Sequence, residues 1–170
     1  MGWKEWEKSK AGPGRRMGRL CGLLVVCAGL GAGCAGGPEP QARWMDGVTT
    51  AEVVQRLQVV VPASASDLRS AYRKGLQDDT LLLAFVLPTP DVEGFLARLD
   101  PQEPVKAGPK SFAGPEPVAP FAHVGLPEPD SVPGVRTGQV CAPCAEVDFM
   151  HAAVARVDEK SSRVYFEAAD

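Results

Sequence analysis

The alternation of apolar and polar positions is strongest between Thr80 and Leu87. Leu81, Leu83, Phe85 and Leu87 fall on one face of an extended strand, and Leu82, Ala84 and Val86 fall on the other. Successive side chains of a strand point to opposite faces, so a run apolar on both predicts a central strand covered on both sides. Upstream, Leu68, Ser70 and Tyr72 alternate with Asp67, Arg69 and Arg73, and a polar turn from Lys74 to Asp79 joins the two stretches into a hairpin. Downstream, Thr89-Pro90-Asp91 predicts a helix start, with Thr89 as N-cap, proline at the first helical position and an acid in the positive first turn. Val92, Phe95, Leu96 and Leu99 then occupy i, i+3, i+4 and i+7, a single stripe facing the sheet, and Asp100-Pro101 ends the helix. Gly94 either weakens this helix slightly or allows close packing against it.

The flanking stretches extend the pattern. Thr49-Thr50-Ala51-Glu52 has the form of a capping box, in which hydroxyl and carboxylate each satisfy a free backbone N–H. It predicts a short helix over 50–57, with Val48 and Val53 stapling its start and Val53, Val54 and Leu57 on its buried face. Val59-Val60-Val61 is a β-branched run stopped by Pro62. From Pro101 to Pro133 nine residues of 33 are proline, too many for regular structure. Phe112, Phe121, Val124 and Leu126 are scattered through this stretch, so it is expected as a loop pinned across the domain. Residues 147–157 fit both helical and strand spacing. Arg163-Val164-Tyr165-Phe166 is plainly strand-like and Asp158 to Ser162 is a natural hairpin turn, which favours two strands. The expected fold class is α+β: an antiparallel sheet of four to five strands with two short helices on one side and a long proline-rich loop at 101–135, all within one domain spanning 44–170.

A second kind of apolar segment precedes all of this. Arg15, Arg16 and Arg19 lead into an apolar run that begins at Leu20 and closes on Gly31-Ala32-Gly33-Cys34. Leu20 to Gly33 is 14 residues with four glycines, whereas a membrane-spanning helix needs about 20 mostly apolar residues. A positive start, a short apolar centre and small residues at the end describe a cleavable export signal. Met17 would begin a compact version of that signal, which makes it the alternative translation start. Residues 34–43, rich in Gly and Pro, read as a tether reaching at most about 30 Å at roughly 3.3 Å per residue.

The placement of Cys34 directly after Ala32-Gly33 resembles the lipobox of bacterial lipoproteins. In that family the cysteine is alkylated with diacylglycerol and becomes the first residue of the mature chain. Gly31 departs from the family pattern, which usually has Leu three places before the cysteine; Leu30 stands one place earlier. The chain contains no Ile and no Asn, while Ala, Gly, Pro, Arg and Val abound. That bias fits a GC-rich genome, and with the lipobox it resembles a lipoprotein of actinobacterial type. The resemblance covers the first 34 residues and implies lipidation at Cys34 and an anchor on the extracytoplasmic face of the cell membrane. It implies no activity.

Removing residues 1–33 changes the charge balance. Of 18 Lys+Arg and 21 Asp+Glu, six and two lie before Cys34, leaving 12 and 19 and a balance near −7. No basic stripe remains to release counterions from phosphates, so nucleic acid is excluded as a partner. The expected partners are the membrane, through the lipid, and an envelope protein or ligand that the sequence does not name. Cys21 and Cys27 depart with the signal, which leaves Cys141 and Cys144 as an isolated pair in an oxidising compartment, where a disulfide is the default. Cys141-Ala142-Pro143-Cys144 is also a C-x-x-C redox candidate, close to the CGPC of thioredoxins, but it lies near the C-terminus and not after the first strand of a βαβ unit. His123 and His151 complete no compact zinc spacing with these thiols. Asp78 and Asp79 read as solvated turn residues. No catalytic motif, metal site or cofactor signature is present, so the expected class is a non-catalytic binding or envelope-associated module, with a tethered thiol-disulfide protein as the alternative.

Overall fold

The computed structural model describes residues 42–108 and 119–170. The signal, Cys34, nearly all of the tether and Phe112 lie outside the described residues. Within them the strands are β1 (Arg43–Trp44), β2 (Ser66–Lys74), β3 (Thr80–Pro88), β4 (Lys106–Ala107), β5 (Arg136–Cys141), β6 (Phe149–Arg156) and β7 (Ser161–Ala169), with helices α1 (Thr50–Leu57) and α2 (Thr89–Leu99). The architecture is α+β. The strands form one antiparallel sheet of order β1-β2-β3-β7-β6-β5-β4.

The sheet therefore has seven strands among the described residues, not four or five. The reason is local. β1 and β4 are two residues each, too short to show any period. β5 carries Gly138 in its middle and Val140 as its one large apolar residue, so no alternation marks it. A side chain at Gly138 would put its Cβ 2.8 Å from the Glu103 carbonyl oxygen and 3.0 Å from the Val105 Cα. The glycine is what lets the chain at 103–105 cross this strand closely. The Val59-Val60-Val61 run forms no strand: Val59 is buried while Val60 is 86% exposed.

Both faces of the sheet are covered, and by different kinds of structure. On the first, Leu81, Leu83, Phe85 and Leu87 of β3 join Val164 and Phe166 of β7 and Met150 and Val154 of β6 beneath Val53, Leu57, Val92, Phe95 and Leu96 of the two helices. On the second, Leu82, Ala84, Ala153, Ala155 and Tyr165 pack against Phe121 and Leu126. Two short 3₁₀ turns, Pro120–Val124 and Pro129–Ser131, give that second cover its shape. The described part of the proline-rich stretch from residue 119 on is thus a strap pinned to the sheet through Phe121, whose ring meets Tyr165 edge-on at 5.0 Å.

The helix starts follow two different routes. α1 has its capping box: the Thr49 Oγ1 accepts from the Glu52 N–H at 3.3 Å, and the Glu52 Oε2 accepts from the Thr49 N–H at 2.6 Å. That bond holds the Glu52 carboxyl below its usual range. Thr89 is not the cap expected of it. β3 runs straight into α2, the N-cap is Pro88 with no side-chain cap bond, and the Thr89 hydroxyl instead lies 3.1 Å from the Ser162 hydroxyl on β7. Gly94 is exposed, and a Cβ there would meet only the end of Arg98 at 3.7 Å, so close packing is not its role.

Candidate functional site

The α1 and α2 C-terminal ends, closed by Gln58 and Asp100 in left-handed conformation, converge on the loop between β5 and β6. That loop is locally stapled. Cys141 and Cys144 are joined as a disulfide with Cα atoms 5.2 Å apart. The Cys144 N–H donates to the Val147 carbonyl at 3.0 Å, and the Ala142 N–H donates to the Gln102 Oε1 at 3.1 Å. A cleft of about 300 Å³ opens beside the disulfide, with Leu57, Leu99, Val140, Val147 and Met150 in its wall and Arg56, Gln58, Asp100, Gln102 and Glu146 as its polar members.

Two further clefts adjoin it. One of about 450 Å³ is lined by Val48, Glu52, Gln55, Arg56, Gln58, Tyr72 and Glu146, and one of about 480 Å³ by Gln58, Val60, Phe95, Arg98 and Leu99. Gln58 lines all three, so this grooved surface lies around the end of α1. Concave surfaces with apolar walls and a few convergent polar groups are the usual form of a ligand site. Arg56 is the best-anchored polar group in the groove. It pairs with the Asp170 carboxylate and lies 4.9 Å over the Tyr72 ring. Tyr72 in turn donates to Asp79, whose other oxygen accepts from the Gly75 N–H at 3.0 Å. The Tyr72 bond holds the Asp79 carboxyl below its ordinary range, and the same bond pushes the Tyr72 hydroxyl up. Asp79 is therefore bound into the hairpin and not a solvated turn residue as expected; Asp78 is exposed.

The remaining sequence candidates do not meet here. His123 lies on the strap, stacked on Trp44 at 4.2 Å, and His151 faces the strap side of β6 with its ring 5.3 Å from Phe149. Cys141 and Cys144 pack on the helix side of the sheet. Among the described residues no group of three His, Cys, Asp or Glu side chains is arranged to hold a metal ion. Residues 142–148 contain no helix, so Cys141 lacks the helix N-terminus that stabilises the thiolate of a redox C-x-x-C. Cys34 is outside the described residues.

Comparison of the chain with protein-family models, with curated proteins and with solved structures gives no match. Arg56 and the groove around Gln58 escaped the sequence reading because three separate segments build them, and none of those segments is unusual alone. The same holds for the charged side chains Arg73, Arg163 and Glu167, whose sharing of the opposite face follows only from strand register.

Proposed function

We propose that this chain is a lipid-anchored lipoprotein of the extracytoplasmic membrane face whose α+β portion is a non-catalytic binding module. The observation that carries the reading is the basic, apolar and small-residue run from Arg15 that ends at Cys34. The Cys141–Cys144 disulfide supports it, because such bonds persist in oxidising compartments. The groove around Gln58 is the surface best suited to a ligand or an envelope partner. One observation favours thiol-disulfide exchange as a second reading: the disulfide lines a cleft. The missing helix N-terminus weighs against it.

Metabolic labelling with a fatty-acid analogue tests the anchor. The wild-type chain is expected to carry label and to sediment with membranes, and Cys34→Ser is expected to lose both. Label retained in Cys34→Ser would show that the cysteine is not the acceptor. Stable residence needs more than one acyl chain, since a single chain binds only marginally, so partial release of the variant would also count against the reading.

A further inference from the structure

The second face of the sheet holds a carboxylate that its surroundings do not complete. Ala71, Leu82, Glu167 and His151 lie side by side across β2, β3, β7 and β6, on the face beneath the strap. Among the described residues the Glu167 Oε2 is shut off from solvent and has no hydrogen-bond partner, and the Nε atoms of Arg73 and Arg163 are in the same condition. Glu128, Arg73 and Asp130 are the charges that act on Glu167, and His151 stands beside it on β6. The other titratable groups on this side are Arg69 of β2, paired with Asp67, Arg163 of β7, also paired with Asp67, Tyr165 against Phe121, and His123 stacked on Trp44. β3 and β5 present Thr80, Leu82, Ala84 and Thr137, which do not titrate. Burial, and then the like charge of Glu128, push the Glu167 carboxyl up to about 7, with Arg73 opposing and Asp130 adding to the rise. Glu128 is itself pushed up by burial, although the Ala122 N–H donates to it at 3.1 Å.

The strap is built to move as a unit. Among the described residues its backbone hydrogen bonds are internal: Ala122 to Ala119, Gly125 to Ala122, Leu126 to Phe121, Ser131 to Glu128, Val132 to Pro129 and Val135 to Val132. Among its contacts with the sheet are Phe121 and Leu126 in the apolar cluster, with Val124, Val132 and Val135 packed against it, and the stack of His123 on Trp44. Lifting it breaks none of the bonds between strands, and segments held in this way open at lower free energy than the sheet beneath them.

We propose that residues 119–135 are a pH-set cover over this face, closed while Glu167 carries its proton and loosened when Glu167 gives it up. A neutral carboxyl sits under the strap at little cost. An ionised one is a desolvated charge facing Glu128 and Asp130, with Arg73 as its partial counterweight. The closed form therefore binds the proton more tightly than the open form. Raising the pH through the interval between an ordinary glutamate and about 7 shifts the balance toward the open form.

Amide hydrogen exchange of the full chain, read as protection relative to intrinsic rates at pH 5 and pH 8, tests this. Protection in 120–135 is expected to fall at least about tenfold between the two, well within what a shift of this size can drive, while β3 and β7 keep theirs. Glu167→Gln is expected to hold the closed value at both pH values. Glu128→Gln, which keeps the acceptor oxygen for the Ala122 N–H, is expected to shrink the fall. Flat protection in the wild type would overturn the proposal, as would an equal fall in β3 and β7 or an unchanged fall in Glu167→Gln, which would point to His123 or His151. Should Glu167→Gln not fold, an undiminished fall in Glu128→Gln overturns it equally.

Discussion

Truncating Phe95 to alanine removes the ring through which α2 meets β3 and β7. Phe95 is 3% exposed. Its ring meets Phe85 of β3 edge-on at 5.5 Å and Phe166 of β7 edge-on at 6.1 Å. Those two rings are 6.1 Å apart and tilted by 36°, so neither can turn into the space without giving up its own contacts. Emptying a buried aromatic site costs about 3 to 5 kcal/mol. The two edge-on pairs, each about 0.5 to 1.5 kcal/mol beyond area burial, place this site in the upper half of that range. A loss of about 4 kcal/mol is a large part of the 5 to 15 kcal/mol or so that holds an ordinary domain folded. At roughly 3 to 6 °C per kcal/mol for a domain of this size, the melting temperature should drop on the order of 15 °C. Urea unfolding monitored by circular dichroism gives the difference directly, provided the slope is unchanged and only the midpoint moves. Leu68→Ala is the control, since Leu68 is 41% exposed and should change stability by less than about 0.5 kcal/mol. A Phe95→Ala loss below about 1 kcal/mol would refute the packing argument.

Two further perturbations separate local from tertiary contributions. Thr49→Ala removes the hydroxyl arm of the α1 capping box and should cost about 1 kcal/mol in the same urea assay; no change would mean that water replaces the cap without loss. Replacing Cys141 and Cys144 together by serine opens a ring of only four residues, for which chain entropy predicts about 2 kcal/mol at most. Thiol titration of the unreduced wild-type chain should find this pair oxidised. Catalytic, dithiol-dependent reduction of a model disulfide by the wild type and not by Cys141→Ser would displace the binding reading in favour of exchange chemistry.

The parts of the fold that were legible in the sequence are those whose physics is local. The Thr49–Glu52 box, the stripe Val92, Phe95, Leu96, Leu99 and the two-sided run of β3 are each completed within a dozen residues, and each stands where its pattern placed it. The Asp158 turn is of the same kind: its Oδ1 accepts from the Lys160 and Ser161 N–H groups at 2.7 and 2.8 Å, satisfying the hairpin from inside. β5 was hidden because its defining feature is an absence, the missing side chain of Gly138. Thr89 misled because a residue with the right chemistry for a cap was spent on Ser162 across the sheet. The disulfide was expected as the default for two leftover cysteines, although their spacing also fitted a redox pair; the cleft beside it was not legible, since that depends on where two helices end in space.

Glu167 shows most clearly where local pattern stops being informative. In Arg163-Val164-Tyr165-Phe166-Glu167 the alternation assigns Val164 and Phe166 to the core and leaves Arg163, Tyr165 and Glu167 to the other face, which by itself reads as a solvated side. The chain reverses that reading well upstream, where Phe121 and Leu126 carry a strap across the same face and bury it. A charged residue at an outward position and a proline-rich loop with scattered aromatics are each ordinary. Their superposition buries a carboxyl oxygen without a hydrogen-bond partner among the described residues, within reach of the like charges of Glu128 and Asp130. The strap's two short 3₁₀ turns pair with no strand among the described residues, so apolar contacts with the face that holds Glu167 help to fix its position. The cover and the group that would regulate it are therefore aspects of one tertiary contact, which is why neither is visible in its own segment.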